Sequence, residues 1–406
     1  MLEKLIQNPG VLKIAEALKT CNGRARLVGG CVRDSIIGRN ITDIDFATDL
    51  LPSEVQNALR NSGIKSIPTG IKHGTITAVV DGVGYEITTL RRDVKCDGRH
   101  ADVAFTDSWK EDASRRDFTF NALYCDIDGK IYDYFSGVKD LESRTITFIG
   151  DAEKRVLEDF LRILRVFRFH ASICSSSTLS EEITNICKKH SDSLGTLSKE
   201  RIKGEFFKLL SCTNCVKTLD TMRECEVLDK VIPYQLSTKF LESPHITCRP
   251  PIVKLSTALK PLICHTDVKE VVQNVTNLLR LSNKERNLLR TLLETHLPFP
   301  LSRTHRTQYL NIFGNEVFTY LAIVNYLNEN SVMTEEDFVE HIRVAESFVP
   351  STFPISGADL IVLGYKEGKH LGDTLAKLRN IWEKDPANVT KEHLLSLVPP
   401  QKETKT

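Results

Sequence analysis

Apolar positions change their spacing near residue 150. Before it they alternate with polar ones in short runs; beyond it they recur three and four residues apart. Ala25, Leu27 and Val28 form a short apolar run stopped by Gly29-Gly30, which predicts a strand and a tight turn. G-T-I-T-A-V-V and Y-E-I-T-T-L flank Asp81-Gly82 within residues 74–90, a strong hairpin signal. F-T-F-N-A-L-Y-C-D-I and K-I-Y-D-Y-F flank Asp128-Gly129 and predict a second hairpin. Between the two hairpins, residues 91–116 are polar, mixed in charge and without period, and predict a mobile loop. Residues 2–20 predict two helical pieces broken at Asn8-Pro9-Gly10, and Pro52 opens a further helix that runs to about Asn61 and ends at Gly63.

Beyond Gly150 every segment reads as helix or loop. Residues 153–170 are strongly helical, with Val156, Phe160, Ile163, Leu164 and Phe167 on one apolar face. Asp159 and Arg162 lie a turn apart on another face, and Arg165 and Arg168 continue a basic row. Residues 198–210 predict a capped basic helix, and 252–296 and 306–329 are helical. A polar stretch near 330–336 precedes a last region opened by Pro354-Ile355-Ser356-Gly357, where a Gly-rich turn leads a helix to Trp382. The pattern is α+β: strands and helices first, then an all-helical remainder.

Composition narrows the partners. The 406 residues allow two or more domains, and a net charge of +1 excludes a global polycation, so any nucleic acid must meet a local basic surface. No apolar run approaches the ~20 residues of a membrane span. The 11 Cys have no framework spacing and predict reduced thiols in a cytosolic or organellar protein. Cys212-x-x-Cys215 has no second pair at zinc spacing and reads as incidental. The first ten residues lack the Arg/Ser bias of a transit peptide.

The candidate chemistry sits in residues 27–48. Asp43 and Asp45 alternate with Ile44 and Phe46, so on a strand the two carboxylates share one face. Paired carboxylates repel unless a cation joins them, and Mg²⁺ takes such oxygens together with substrate phosphates. Gly29 and Gly30 let backbone N–H groups approach a phosphate. Together these parts point to a metal-dependent nucleoside triphosphate site; alone, a Gly-Gly turn and a solvated Asp-x-Asp fit as well. Glu86 completes a carboxylate triad if its strand neighbours that of Asp45, and a solvent-facing strand Glu fits equally. Arg115 and Arg116 precede the second hairpin and can clamp a triphosphate by bidentate hydrogen bonds; surface charge is the plainer reading. Asp159 and Arg162 can present acceptors and donors to a base edge, where a salt-bridged surface helix is the plain alternative.

With these motifs in order, the chain resembles the class II tRNA nucleotidyltransferases, the CCA-adding enzymes of the polymerase-β superfamily, in their eukaryotic form. The resemblance rests on L-V-G-G-C-V-R-D-S-I-I-G…D-I-D, on R-R-D-F-T-F-N-A-L at 115–123, and on F-S-G-V-K-D-L-E-S-R-T-I at 135–146. It continues in Glu158-Asp159-x-x-Arg162 and in residues 198–209, while residues 90–103 are similar to the family's flexible loop. It is strongest over 25–210, looser over 354–382, and only helical in character over 215–350; Phe160 is a small departure within the templating motif.

The resemblance implies addition of C, C and A to tRNA 3′ ends from CTP and ATP, with pyrophosphate released by two-metal in-line transfer. It implies that Asp43 and Asp45 hold Mg²⁺; Glu86 stands as a catalytic candidate by its strand position. Gly29, Gly30, Arg33 and Arg116 would hold phosphates and sugar, and Asp117 and Asn121 the ribose. Asp159 and Arg162 would read the base, and Arg165 and Arg168 the triphosphate. The implied division is a catalytic head at 1–145, a neck at 146–215, and a tRNA-binding body at 216–330 and tail at 331–406, acting in mitochondria, cytoplasm or both. A poly(A) polymerase or partial-addition enzyme shares these motifs; a non-catalytic RNA-binding protein would not need them intact.

Overall fold

The computed structural model describes residues 1–97, 100–174, 176–264, 266–298, 301–328, 331–349, 352–383 and 389–399, with side chains placed outside 93–102. The polar end 401–406 lies outside the described residues. The chain divides into two compact units, Met1–Pro233 and Tyr234–Thr406.

The first unit carries all the described strands: β1 (Ala25–Val28), β2 (Asp45–Thr48), β3 (Lys65–Gly70), β4 (Thr75–Val80), β5 (Val83–Thr89), β6 (Arg91–Asp97), β7 (His100–Phe105), β8 (Leu123–Cys125) and β9 (Ile131–Asp133). Seven form one sheet in the order β3-β4-β5-β2-β1-β8-β9. Only β2 and β5 run parallel, with Asp45 opposite Glu86 and Phe46 opposite Ile87. Burial alternates as the sequence predicts: Phe46, Ile76, Ala78, Tyr85 and Ile87 are buried. Asp81 and Gly82 both take positive φ, 51° and 80°, as a two-residue hairpin turn of this hand requires.

Two predicted segments differ. Residues 91–116 are not a loop: β6 and β7 pair antiparallel as a separate ribbon, and a helix follows over Trp109–Ser114, capped by Ser108. Residues 98–99, within the stretch compared with the family's flexible loop, lie outside the described residues. The ribbon lies outside the main sheet, its residues are polar and mixed in charge, and a register shift between Asp93 and Lys95 breaks the alternation. The second hairpin is shorter than predicted. Thr119–Asn121 form a 3₁₀ turn, and only Leu123–Cys125 pair with Ile131–Asp133.

Four helices of this unit position the site: α1 (Gly30–Ile36), α2 (Ala152–Glu158), α3 (Leu161–Ile173) and α4 (Lys199–Leu210). Residues 153–170 are therefore two helices and not one. Asp159 takes extended angles, φ −156° and ψ 105°, and its Oδ1 accepts from Leu161 N at 3.1 Å, which caps α3. Val156, Ile163, Leu164 and Phe167 are buried as predicted, while Phe160 at the break is half-buried.

Among the described residues the second unit carries helices joined by turns and loops, and no strand. The helix Pro251–Leu259 is buried from Ile252 to Leu259. Just past it Lys260, 1% exposed, donates to the carbonyls of Leu292, Leu293 and Thr295 at 2.9–3.2 Å. These oxygens end the helix Asn283–Glu294, so a buried ammonium caps it. Burial pushes this lysine down to about 8 from its usual 10.5. A lowered folded pKa means that the unfolded chain binds more protons between those values, so stability rises with pH there. The rise should approach ~3 kcal/mol across pH 8–10.5 in wild type and vanish in Lys260→Met, read from urea unfolding.

Candidate active site

Asp45 opens β2 at the end of the strand that β1 and β5 flank. Its carboxyl is pushed up to about 6 by burial and by Glu86, against the pull of Arg116; Asp43 adds a smaller push. Asp43 differs from expectation: it lies before the strand, exposed, and takes the Thr42 hydroxyl at 3.0 Å. Glu86 is the register partner of Asp45, so the neighbouring strand required for a triad exists. Among the described residues, however, no three His, Cys, Asp or Glu side chains gather closely enough to cage a metal.

Gly29 joins β1 to α1 with φ 73° and ψ −120°, a conformation that suits glycine, and a Cβ there would meet Arg116 Nη1 at 3.4 Å. Arg33, one turn into α1, forks onto Asp34 at 2.7 and 2.9 Å and reaches Asn121 Oδ1 at 2.6 Å. Asn121 in turn donates to Asp117 Oδ1 at 2.9 Å. Asp117 is buried, yet it receives Arg165 Nε at 2.6 Å, and that guanidinium holds its carboxyl well below the usual range. This chain of bonds fixes the two candidate ribose residues between the glycine turn and α3.

Arg116 and Arg115 part company. Both touch Asp112, but Arg115 turns on to the Arg91 carbonyl, while Arg116 lines the cleft with its Nε buried and unbonded. The candidate base-reading pair, Asp159 and Arg162, is held by neighbours on either side. Arg162 donates to Glu158 Oε2 at 2.6 Å and to the Arg155 carbonyl at 2.8 Å. Asp159 Oδ2 accepts from Arg201 of α4 at 2.7 Å.

One cleft of about 530 Å³ brings these together: Gly29, Gly30, Arg33, Asp45, Arg116, Asp117, Asn121, Asp159, Arg162, Arg165 and Arg168 all line it. Asp43 and Glu86 do not. Four residues that the sequence reading did not assign complete the lining: Leu161, Phe169, Arg201 and Lys208. Seven cationic side chains thus face three carboxylates, Asp45, Asp117 and Asp159, a balance suited to a polyanion. The Phe169 ring carries Arg168 at 3.8 Å, Arg33 at 5.1 Å and Arg165 at 5.4 Å. Buried Glu205, one turn after Arg201, anchors Arg168 at 2.5 Å. An acidic residue four places beyond Arg201 in a basic helix was the available signal for that anchor.

A mixed sheet bearing an acidic strand end, a glycine turn and a fan of arginines defines a nucleotidyltransferase head. Residues 25–147 match the family described as Poly A polymerase head domain, and 178–238 the one described as Probable RNA and SrmB-binding site of polymerase A. The mitochondrial CCA tRNA nucleotidyltransferase 1 of Danio rerio is 32% identical over 404 residues, covering 95% of this chain and 90% of the relative. The CCA-adding enzyme of Lactobacillus helveticus is 31% identical over 377 residues, covering 91% of each. The Bacillus stearothermophilus CCA-adding enzyme, solved in complex with CTP, superposes with a TM-score of 0.69 at 25% identity over 95% of both chains. The chain belongs to the CCA tRNA nucleotidyltransferase family.

Proposed function

We propose that this cleft adds C, C and A to the 3′ end of tRNA from CTP and ATP, releasing pyrophosphate without a nucleic-acid template. The observation that carries the reading is the cleft itself, in which Asp45, the arginines and the Asp159–Arg162 pair line one space. The names of the relatives support the substrate, and the vertebrate ones, called mitochondrial, support a mitochondrial tRNA pool. The four-part division at 145, 215 and 330 remains part of the proposal.

Asp43 and Asp45 would hold divalent metal, with Mg²⁺ the expected ion. The donors fit it. They are hard oxygens, Asp45 carries a buried charge that seeks a cation, and an incomplete protein cage suits an ion that keeps waters and phosphates in its shell. Bound there, metal supplies Lewis-acid polarisation of the reacting phosphate and of the tRNA 3′ oxygen. Arg33, Arg116, Arg165 and Arg168 neutralise and orient the triphosphate. Asp117 and Asn121, already bonded to each other, meet the ribose. Asp159 accepts and Arg162 donates at the base edge, and Arg201 holds Asp159 in place.

The test is a tRNA transcript lacking its last three nucleotides, given CTP, ATP or both with Mg²⁺. Two additions with CTP and a third only when ATP is also present support the reading. Long ladders of A with ATP alone would make the chain a poly(A) polymerase, and binding without extension would make it an RNA-binding protein. Asp159→Ala should lower the preference for the correct base by roughly 5–150-fold, about 1–3 kcal/mol of lost pairing, in misincorporation assays with UTP and GTP.

A further inference from the structure

We infer that a second cleft, beside the first, binds the phosphate backbone of the RNA whose 3′ end is extended; this rests on the proposed function above. The cleft holds about 480 Å³ and is lined by Arg39, Arg144 and Lys208, with Ser172, Ser211 and Asn214 among its polar groups. Lys208 also lines the nucleotide cleft, so the two adjoin through one side chain.

The charge here is unbalanced. No carboxylate lines the cleft. Among the described residues the Arg39 guanidinium has no hydrogen-bond or ion-pair partner, and Arg144 reaches only the Ile173 carbonyl, at 3.4 Å. Lys208 stands 3.9 Å from Glu205 with 65% of its side chain exposed. Arg144 and Arg39 both line the cleft and both act on the Cys174 thiol, pulling against the upward push of burial. Asp140 acts on that thiol too, but its carboxylate takes the Thr119 hydroxyl.

A plainer reading is that these cations offset the carbonyl ends of α3 and α4, which terminate at Ile173 and Leu210. That accounts poorly for Arg39, which touches no carbonyl. Nor does it say why Arg144, where glycine or asparagine is usual, holds the left-handed cap that ends the helix Gly137–Ser143. This residue has φ 54°, a left-handed conformation that an arginine adopts at a cost and that glycine or asparagine would adopt more readily. Two exposed arginines without acidic partners and a lysine only loosely paired with Glu205, hydroxyls among them, next to a nucleotide site, match a phosphodiester strand.

The test uses the full chain and a tRNA lacking its terminal CCA. Arg144→Asn keeps a residue that tolerates positive φ, and Arg39→Gln changes an exposed side chain, so both should fold. In the double variant the slope of log K against log salt should shrink by about 1.5, since each lost phosphate contact removes ~0.7–0.9. The Kd for tRNA should rise roughly tenfold at low salt. KM for CTP at saturating tRNA and inhibition by pyrophosphate should not move. An unchanged slope and Kd would overturn the inference. A weaker response to CTP and pyrophosphate with the tRNA slope intact would overturn it in favour of a polyphosphate site. If the double variant melts early, Arg39→Gln alone decides, with half the slope change expected. Failure of wild type to extend tRNA while binding it would sink the CCA reading and leave this one standing.

Discussion

Asp45→Asn should abolish nucleotide addition and leave tRNA binding within about twofold, an effect on the order of 10³-fold or more in rate. The size follows from what the carboxylate supplies. A metal ion at a reacting phosphate contributes several kcal/mol, and each 1.36 kcal/mol is a factor of ten. Asn keeps the shape of Asp45 and removes its charge. Nothing else lining the cleft replaces that charge, because Asp117 is tied to Arg165 and Asp159 to Arg201. Asp43 lies outside the strand and exposed, so Asp43→Asn should cost less than Asp45→Asn. Single-turnover rates with CTP, beside anisotropy binding of tRNA, separate chemistry from binding. An Asp45→Asn enzyme that retains a tenth of the wild-type rate would remove Asp45 from the metal's shell.

The sheet was legible because its alternation is enforced by a core. Phe46, Ile76 and Ile87 enter it, and turn chemistry at Asp81-Gly82 closes the hairpin. Glycine at 29 was legible for the same reason, since a positive φ leaves few residues to choose from. The ribbon at 91–105 was not, because its sequence is polar without a period and its register shifts between Asp93 and Lys95. The break at Asp159 was hidden by apolar spacing that stays helical across it, and the capping bond to Leu161 N decides it in three dimensions. The candidate cleft followed from motif order in most of its residues, and what the sequence could not assign are the groups that hold others. Arg201 and Glu205 of α4 touch Asp159 and Arg168, far along the chain, so beyond an acidic residue in a basic helix no spacing pointed to these contacts.

Asp112 is another such group, and its loss should be the largest single blow to folding. It is 1% exposed and binds Arg115 at 2.8 Å, Arg116 at 3.3 Å and the Tyr124 hydroxyl at 2.7 Å. Asp112→Asn keeps the hydroxyl bond and leaves half-buried Arg116 without its counter-charge. Breaking a buried pair from one side costs about 3–5 kcal/mol, a large part of the stability of an ordinary domain. For a unit of this size that lowers Tm by roughly 10 °C. Against the upward push of burial, the guanidinium charges of Arg116 and then Arg115 hold the Asp112 carboxyl down to about 2. A depressed folded value means that its contribution is present above the ordinary carboxylate pKa of 3.8 and is lost as pH falls toward 2. Wild type should therefore lose ~2 kcal/mol between pH 4 and 2 that Asp112→Asn does not lose, since the variant lacks the titrating group. Arg116 freed from Asp112 should also leave the cleft, raising KM for CTP about tenfold with a smaller change in kcat. Thermal melts at pH 7, urea unfolding from pH 4 to 2, and steady-state kinetics with CTP test the three parts. A variant that melts with wild type and keeps its KM would show that Arg116 is held by something other than Asp112.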